Sequence, residues 1–259
     1  MNKLKDFYIQ HRILIYSLLG IIGVFLIWYL VSLIAKTSLF PGPEAVLPVF
    51  FSLFKEATIY RAVGLTLLRL LIAIVLSVIL GLLFGIIGGI SQNFYTFFKP
   101  FVVVLKTIPT AAVIFILIAL FKPKYAPIIV VFLITFPLIY ENVVAGFNNI
   151  DPHLISALKV DGAKPLKAIF KFYLPLSSNY IFLGIASSIG LGMKVSIMSE
   201  VLSGSGSIDG LGELIRNANY IVDMQSIMAY SLVAIFIIGI IDVAIYFAKS
   251  KIKHTTQNH

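Results

Sequence analysis

Long apolar runs with few charges restrict this chain more than any other feature of its sequence. A run of about 20 apolar residues crosses a bilayer as a helix, because a helix satisfies its backbone hydrogen bonds internally. Hydrophobic residues form 59% and charged residues 12% of the 259 positions. Soluble domains hold about 45–50% and about 25% of these classes. The sequence therefore predicts an all-α integral membrane protein.

We predict six transmembrane helices in a single domain that covers residues 1–259. Six spans of about 20 residues use roughly half of such a chain, so no separate soluble catalytic domain fits between them. The third and fourth spans contain Pro109 and Pro137, and we expect proline to bend such helices. Gly81 and Gly85 in the second span predict close helix packing. The spans are expected at about 13–35, 66–89, 101–121, 127–147, 179–202 and 227–248.

The scarce residue types exclude several kinds of site. The chain has no cysteine, which excludes disulfides, thiolate catalysis and cysteine-based metal sites. The net charge of +9 favours contact with anionic membrane lipid over nucleic acid, because the lysines flank apolar runs. We expect no metal site, no cofactor in this chain and no enzyme activity, because the histidines are scattered without ligand spacing: His11, His153, His254 and His259.

The distribution of basic residues predicts which ends of the spans face the cytoplasm. The N-terminus, the 90–99 loop, the 148–172 insert and the C-terminal tail together carry 11 Lys and Arg, against six in the other loops. Cytoplasmic loops are enriched in Lys and Arg. Both termini and the insert are therefore expected on the cytoplasmic side.

A polar insert from Asp151 to Pro175 interrupts the hydrophobic spans. Asp151 and Pro152 are typical of the cap and first position of a helix. Two short amphipathic helices separated by Gly162 are expected, and their apolar sides hold Leu154, Ala157, Leu158, Leu166, Ile169, Phe170 and Tyr173. The spacing alone leaves two interpretations open, a segment that lies on anionic lipid and a segment that docks on a protein.

Six ionisable residues lie inside the predicted spans, where each charge costs on the order of 2.5–3.5 kcal/mol near the bilayer centre. Three of them, Arg69, Lys106 and Glu200, are close enough to span ends to reach the interface. Lys194 lies deeper, and either faces a water-filled cavity or forms a buried ion pair. Its candidate partners are the remaining two residues, Glu141 and Asp242.

Several segments resemble the permeases of ABC importers. Ala157, Gly162 and the pair Leu174-Pro175 stand at the separations of that family's EAA loop. Ser156, Leu158 and Phe172 occupy the positions where the family has Glu, Ala and Ile. The segments LFPGPEAV, TLLRLLIAIVLSVILGLLFG, LKTIPTAAVIF and SEVLSGSGSIDGLGELI resemble the nitrate, sulfonate and taurine branch, which includes carriers of thiamine-precursor pyrimidines and of riboflavin.

The resemblance implies a type I permease fold in a bacterial cell membrane. It also implies a second permease copy as a homodimer partner, cytoplasmic ATPase subunits that bind ATP and Mg²⁺, and an extracytoplasmic solute-binding protein. The solute would be a small polar or anionic compound such as a sulfonate, nitrate or taurine, with a thiamine-precursor pyrimidine or riboflavin as the alternative. Expected ATPase-coupling residues are Leu154, Ala157, Leu158, Gly162, Phe170, Leu174 and Pro175, and expected path residues are Lys194, Ser199 and Glu200.

A self-contained secondary carrier is the main rival interpretation. Its ion relay would use Lys194, Glu141 and Asp242, and it predicts transport in the absence of any ATPase. An intramembrane enzyme is disfavoured, because no cluster of His, Asp, Ser or Arg converges near one interface.

Overall fold

The computed structural model describes residues 2–35, 37, 39–155, 165–203 and 209–256, and every regular element in these ranges is helical. Five helices are long and apolar enough to cross a membrane, or six if one bent pair counts as a span. The predicted all-α membrane fold is confirmed. The main helices are α1 Asn2–Ala35, α2 Pro43–Leu53, α3 Ala57–Ile90, α4 Gln92–Thr107, α5 Thr110–Leu120, α6 Ala126–Asn148, α7 Ser178–Leu202, α8 Leu211–Tyr220 and α9 Met224–Thr256.

Small residues let α3 pack closely along α6, which is the most buried of the spans. A Cβ at Gly85 would lie 2.7 Å from Cβ of Val143, and one at Gly81 would lie 2.7 Å from the Ile139 side chain. In both contacts the α6 residue follows the α3 residue by the same number of positions in the sequence. α3 and α6 therefore run in the same direction. The close approach expected from Gly81 and Gly85 is therefore present.

α7 packs against the same two helices in the opposite direction. A Cβ at Gly184 would lie 2.7 Å from Cβ of Asn142. Eight residues further on, a Cβ at Gly192 would lie 3.1 Å from the Val131 side chain and 2.9 Å from that of Leu70. Alternation of direction between α6 and α7 is what the predicted order of spans requires.

The predicted third span, 101–121, is divided between two helices that meet at an angle of 93°. Pro109 disfavours helical geometry at the residue before it, and Ile108 is extended, with ψ of 129°. Before the break, Val102 of α4 packs with Tyr140 of α6. After the break, Ile114 of α5 joins the cluster of α3, α6 and α7. Proline was expected to bend this span, but the bend is far sharper than a kink within one helix.

α2, α8 and α9 close the end of the bundle opposite the insert. Val46, Leu211 and Val233 are buried in one apolar cluster that joins these three helices. Trp28 of α1 packs against this cluster and donates a hydrogen bond from Nε1 to the carbonyl oxygen of Pro41, at 3.1 Å. With 11 residues, α2 is too short to cross a bilayer, as expected for the polar segment between the first two spans.

The turn between α8 and α9 holds Val222 in the left-handed region, with φ of 57°. The next residue, Asp223, caps α9: its side chain accepts a hydrogen bond from the backbone N–H of Ser226, at 3.1 Å. Hydrogen bonds from Ser226 hold the pKa of the Asp223 carboxyl below its usual value. The turn is thus fixed by its cap, although valine is poorly suited to its backbone.

Val222→Gly should raise the free energy of unfolding by about 1 kcal/mol, because the left-handed conformation costs L-residues roughly 1–2 kcal/mol and glycine little. Thermal unfolding in detergent measures the effect. Ile221→Gly is the matched control, since Ile221 has φ of −97° and gains no relief. A lower melting temperature for Val222→Gly would contradict the argument that the backbone at Val222 is strained.

Candidate functional site

Arg69 of α3 and Glu200, near the C-terminal end of α7, form a buried ion pair. Arg69 Nη1 lies 2.7 Å from Glu200 Oε1, and the two side chains are 12% and 0% exposed. Thr66 Oγ1 donates to the same carboxylate, at 2.9 Å from Oε2. The backbone N–H groups of Leu211 and Gly212 donate to Thr66 Oγ1 and Glu200 Oε2, both at 2.9 Å. Every partner that a buried carboxylate needs is therefore present.

This cluster fastens the first turn of α8 to α3 and α7. A carboxylate at a helix N-terminus is favourable, because the free N–H groups of that turn point towards it. A Cβ at Gly212 would lie 2.5 Å from both the Ile197 carbonyl oxygen and Cβ of Glu200, so glycine is required for this approach. Arg69 Nη2 also donates to the carbonyl oxygen of Asp209, at 3.1 Å. We call Thr66, Arg69, Glu200 and the start of α8 the end cluster.

The structure separates the three expected path residues. Glu200 and Ser199 are fully buried, whereas Lys194 is exposed. Arg69 and Glu200 were expected to reach the interface individually, but they pair inside the protein. Pairing explains the difference, because two opposite charges at one depth satisfy each other without leaving the bundle.

Lys194 lies on an exposed stripe of α7 and not in a buried ion pair. Among the residues that the structure describes it makes no salt bridge, and its candidate partner Glu141 is bound to Lys106 Nζ instead, at 2.7 Å. The other candidate, Asp242, lies on the exposed side of α9. The buried-pair alternative is therefore wrong in this structure. The exposed stripe repeats every three or four residues and consists of Tyr180, Leu183, Ser187, Leu191, Lys194 and Met198.

The beginning of the insert is built as the sequence predicts. Asp151 Oδ1 accepts a hydrogen bond from the backbone N–H of His153, at 2.8 Å, and its carbonyl oxygen accepts from Leu154 N. Asp151 therefore caps a helical turn. Leu154, on that turn, is exposed. Three expected coupling residues, Ala157, Leu158 and Gly162, lie outside the described part of the chain.

In the second half of the insert, some apolar side chains are exposed and others pack against the spans. Leu166 and Phe170 are 71% and 64% exposed, which is unusual for large apolar side chains that lie beyond the end of a span. Tyr173 turns inward and stacks on Phe147 of α6, with ring centroids 5.3 Å apart. Leu174 packs in the same cluster. The short helical turns involved are Pro165–Ala168, the π-helical Ile169–Tyr173 and Leu174–Leu176, and Pro175 is exposed.

Residues 81–252 match the family model of the binding-protein-dependent transport system inner membrane component. The chain belongs to this family. The predicted resemblance to ABC importer permeases is thus confirmed, and the several apolar helices agree with a multi-pass membrane protein.

Curated permeases match the chain over part of its length. The bicarbonate transport system permease protein CmpB of Synechocystis sp. is 31% identical over 131 residues, which cover 51% of this chain and 45% of CmpB. The glycine betaine/proline betaine transport system permease protein ProW of Escherichia coli is 24% identical over 127 residues, 49% of this chain and 35% of ProW. The chain thus spans less than half the length of these relatives.

Solved ABC transporters share the fold of this permease. The MetNI methionine transporter in an inward-facing conformation gives a TM-score of 0.68 at 18% identity, over 75% of this chain and 95% of that one. A bacterial alginate transporter in complex with its periplasmic protein gives 0.62 at 18% identity, over 95% and 96%. The expected type I permease fold is confirmed.

The sequence predicted the charges of the end cluster but not the cluster itself. The information was available, since the span that contains Arg69 begins on the same side of the membrane on which the span that contains Glu200 ends. Opposite charges at one depth in neighbouring spans favour a pair. The roles of Thr66 and of the backbone N–H groups of α8 had no sequence signal, because they depend on how the turn before α8 folds back.

Proposed function

We propose that this permease is the membrane-spanning subunit of an ATP-driven importer. It works as a homodimer with both termini in the cytoplasm, cytoplasmic ATPase subunits dock on its insert, and a solute-binding protein delivers the solute to the opposite end. ATP and Mg²⁺ bind to the ATPase subunits. The observation that carries the proposal is the exposure of Leu154, Leu166 and Phe170 on the insert, where the family's EAA loop is expected. Large apolar side chains of helical turns dock in grooves of partner proteins.

The proposed mechanism is alternating access driven from the insert. Closure of the ATPase subunits would displace Leu166 and Phe170, and the stack of Tyr173 on Phe147 joins this segment to α6. α6 packs on α3 and α7, so the displacement reaches both helices that hold the end cluster. The end cluster would then open or close the side on which the solute enters.

The proposed solute is a small anion or a small polar compound with an anionic group, of which sulfonates, nitrate and taurine are examples. Lys194 supports this, because it is an exposed cation without a described carboxylate partner, about 12 Å from the end of α7. CmpB is named for bicarbonate and ProW for betaines, and these solutes carry an oxyanion group. A thiamine-precursor pyrimidine or riboflavin is the second candidate, and it rests on the resemblance alone.

Reconstitution with the ATPase tests the proposed function. The permease is inserted into proteoliposomes with a candidate ATPase subunit and a solute-binding protein, and uptake of labelled bicarbonate, nitrate, taurine and methanesulfonate is measured with and without ATP. ATP-dependent uptake of one of them is expected. Uptake by the permease alone, driven by an ion gradient, would instead establish the secondary carrier.

Lys194→Met should raise the KM for uptake by at least about tenfold, because a hydrogen bond to a charged group contributes roughly 1.5–3 kcal/mol. Lys194→Arg keeps the charge and should retain most of the affinity. Met198→Leu, one turn away on the same exposed stripe, is the control for packing. Initial uptake rates over a range of solute concentrations give KM and Vmax. Unchanged values in Lys194→Met would remove Lys194 from the path.

A further inference from the structure

The ion pair between Lys106 of α4 and Glu141 of α6 is exposed within the membrane-spanning part of the protein. The two side chains are 48% and 40% exposed, in contrast to the end cluster. Glu141 precedes the end of α6 by seven residues, which is about 10 Å along the helix. Charges at such a depth are costly in contact with lipid tails, so the surface that carries them faces water or another protein.

This ion pair and the exposed stripe of α7 lie on one face of the molecule. Ile139 and Val143 of α6 pack against α3, and Glu141, halfway between them in sequence, points to the opposite side. α7 turns Gly192 and Glu200 towards α3, and Lys194 lies on its opposite side. Both exposed surfaces are therefore turned away from α3. α6 and α7 are in direct contact, so the two surfaces are continuous.

The position of the ion pair beside the helix break makes it accessible. Lys106 lies in the last turn of α4, and the chain turns by 93° after Thr107. The break leaves α4 beside Tyr140 and takes α5 towards Val130, nearer the other end of α6. Half-exposed ion pairs of this type are weak, so an incoming anion can compete with Glu141 for the Lys106 ammonium.

We propose that Lys106 and Glu141 line the water-filled translocation path as a second charged site, nearer the insert than Lys194, and that Lys106 binds the anionic group of the solute there. The inference rests on the proposed function. An anion that leaves Lys194 meets Lys106 next on the same face. Glu141 holds the Lys106 ammonium in place when no solute is bound.

Cysteine accessibility tests whether this face is wet. The chain has no cysteine, so Glu141→Cys and Ser187→Cys each provide a single thiol on the face, in the full-length protein in membrane vesicles. The matched control is Leu83→Cys, at the same level on the exposed side of α3. Water-soluble methanethiosulfonates should modify the thiols at positions 141 and 187 at least about tenfold faster than the thiol at position 83, because the reactive thiolate forms in water.

Reagent charge tests the anion site. In Glu141→Cys, Lys106 has lost its partner, so the anionic sulfonatoethyl reagent should react about fivefold faster than the cationic trimethylammonium reagent, after each rate is divided by that for a free thiol. The preference should disappear in Glu141→Cys combined with Lys106→Gln. If the double variant still reacts faster with the anionic reagent, the proposed role of Lys106 is wrong.

Two other results would overturn the water-facing site. If the thiols at positions 141 and 187 react as slowly as the thiol at position 83, lipid or protein covers the face. Oxidative cross-linking between two copies of the Glu141→Cys variant, without labelling, would identify a second copy of the chain as the cover. Labelling needs neither ATP nor solute, so its result is separate from failure of the uptake assay.

Discussion

Replacing Leu154, Leu166 and Phe170 with alanine should abolish ATP-driven uptake while the permease still folds and inserts. The three side chains are exposed beyond the ends of the spans, so their loss leaves no cavity in the bundle. At a docking surface, a few large apolar residues carry most of the binding energy, and each contributes about 2 kcal/mol or more. If the three contributions add, their loss of about 6 kcal/mol corresponds to a decrease in ATPase affinity on the order of ten-thousandfold.

The experiment measures uptake and ATPase retention on the same preparation. The triple variant should lose both, with melting temperature in detergent unchanged. The matched control is Tyr220→Ala combined with Ile221→Ala, because these residues are 67% and 74% exposed at the opposite end of the bundle. Full ATP-driven uptake by the triple variant would count heavily against the insert as the coupling site. If uptake is lost while the ATPase stays bound, the substitutions impair the transfer of movement from the ATPase through the insert to the spans.

Arg69→Met should lower the free energy of unfolding by about 3–5 kcal/mol, the loss typical of a buried ion pair that keeps one charged partner. Glu200 would remain fully buried, with only Thr66 and the N–H of Gly212 as donors. The start of α8 would lose its attachment through Arg69 to Asp209. Thermal or denaturant unfolding in detergent measures the loss.

Two further variants separate charge from packing. Arg69→Met combined with Glu200→Met removes both charges and should be less destabilised than Arg69→Met alone, because no unpaired charge stays buried. Arg61→Met is the matched control at the same end of the bundle. Arg61 pairs with Asp209, but these side chains are 73% and 58% exposed, so its loss should cost less than about 1 kcal/mol. Equal effects of Arg69→Met and Arg61→Met would contradict the burial argument.

The exposed and buried ion pairs have different roles in this permease. The end cluster ties three helices together and needs the close approach at Gly212. Lys106 and Glu141 join only α4 and α6, and both remain accessible. A pair of opposite charges is thus buried and ties helices together at one depth and stays exposed at another, and the difference lies in what surrounds it.

The sequence by itself determined the membrane-spanning class and the long apolar helices that belong to it. Apolar runs and their helical periodicity are local, and a bilayer converts them directly into helices. The cap at Asp151 was predictable because it depends on neighbouring positions. The close packing at Gly85 was predictable in kind, because small residues four apart favour helix approach, but its partner Val143 lies on another helix. Whether the domain ends at the boundaries we predict stays a prediction.

Only the tertiary structure decided which charges meet and which stay exposed. Arg69 finds Glu200, 131 residues away, and Lys106 finds Glu141 across a break that Pro109 sharpens to 93°. Lys194 has neither partner, because α7 turns Gly192 and Glu200 towards α3 and leaves Lys194 on the far side. The order of the spans gives the depth of each charge, but the pairing also depends on how each helix is rotated about its axis, which no run of neighbouring residues encodes.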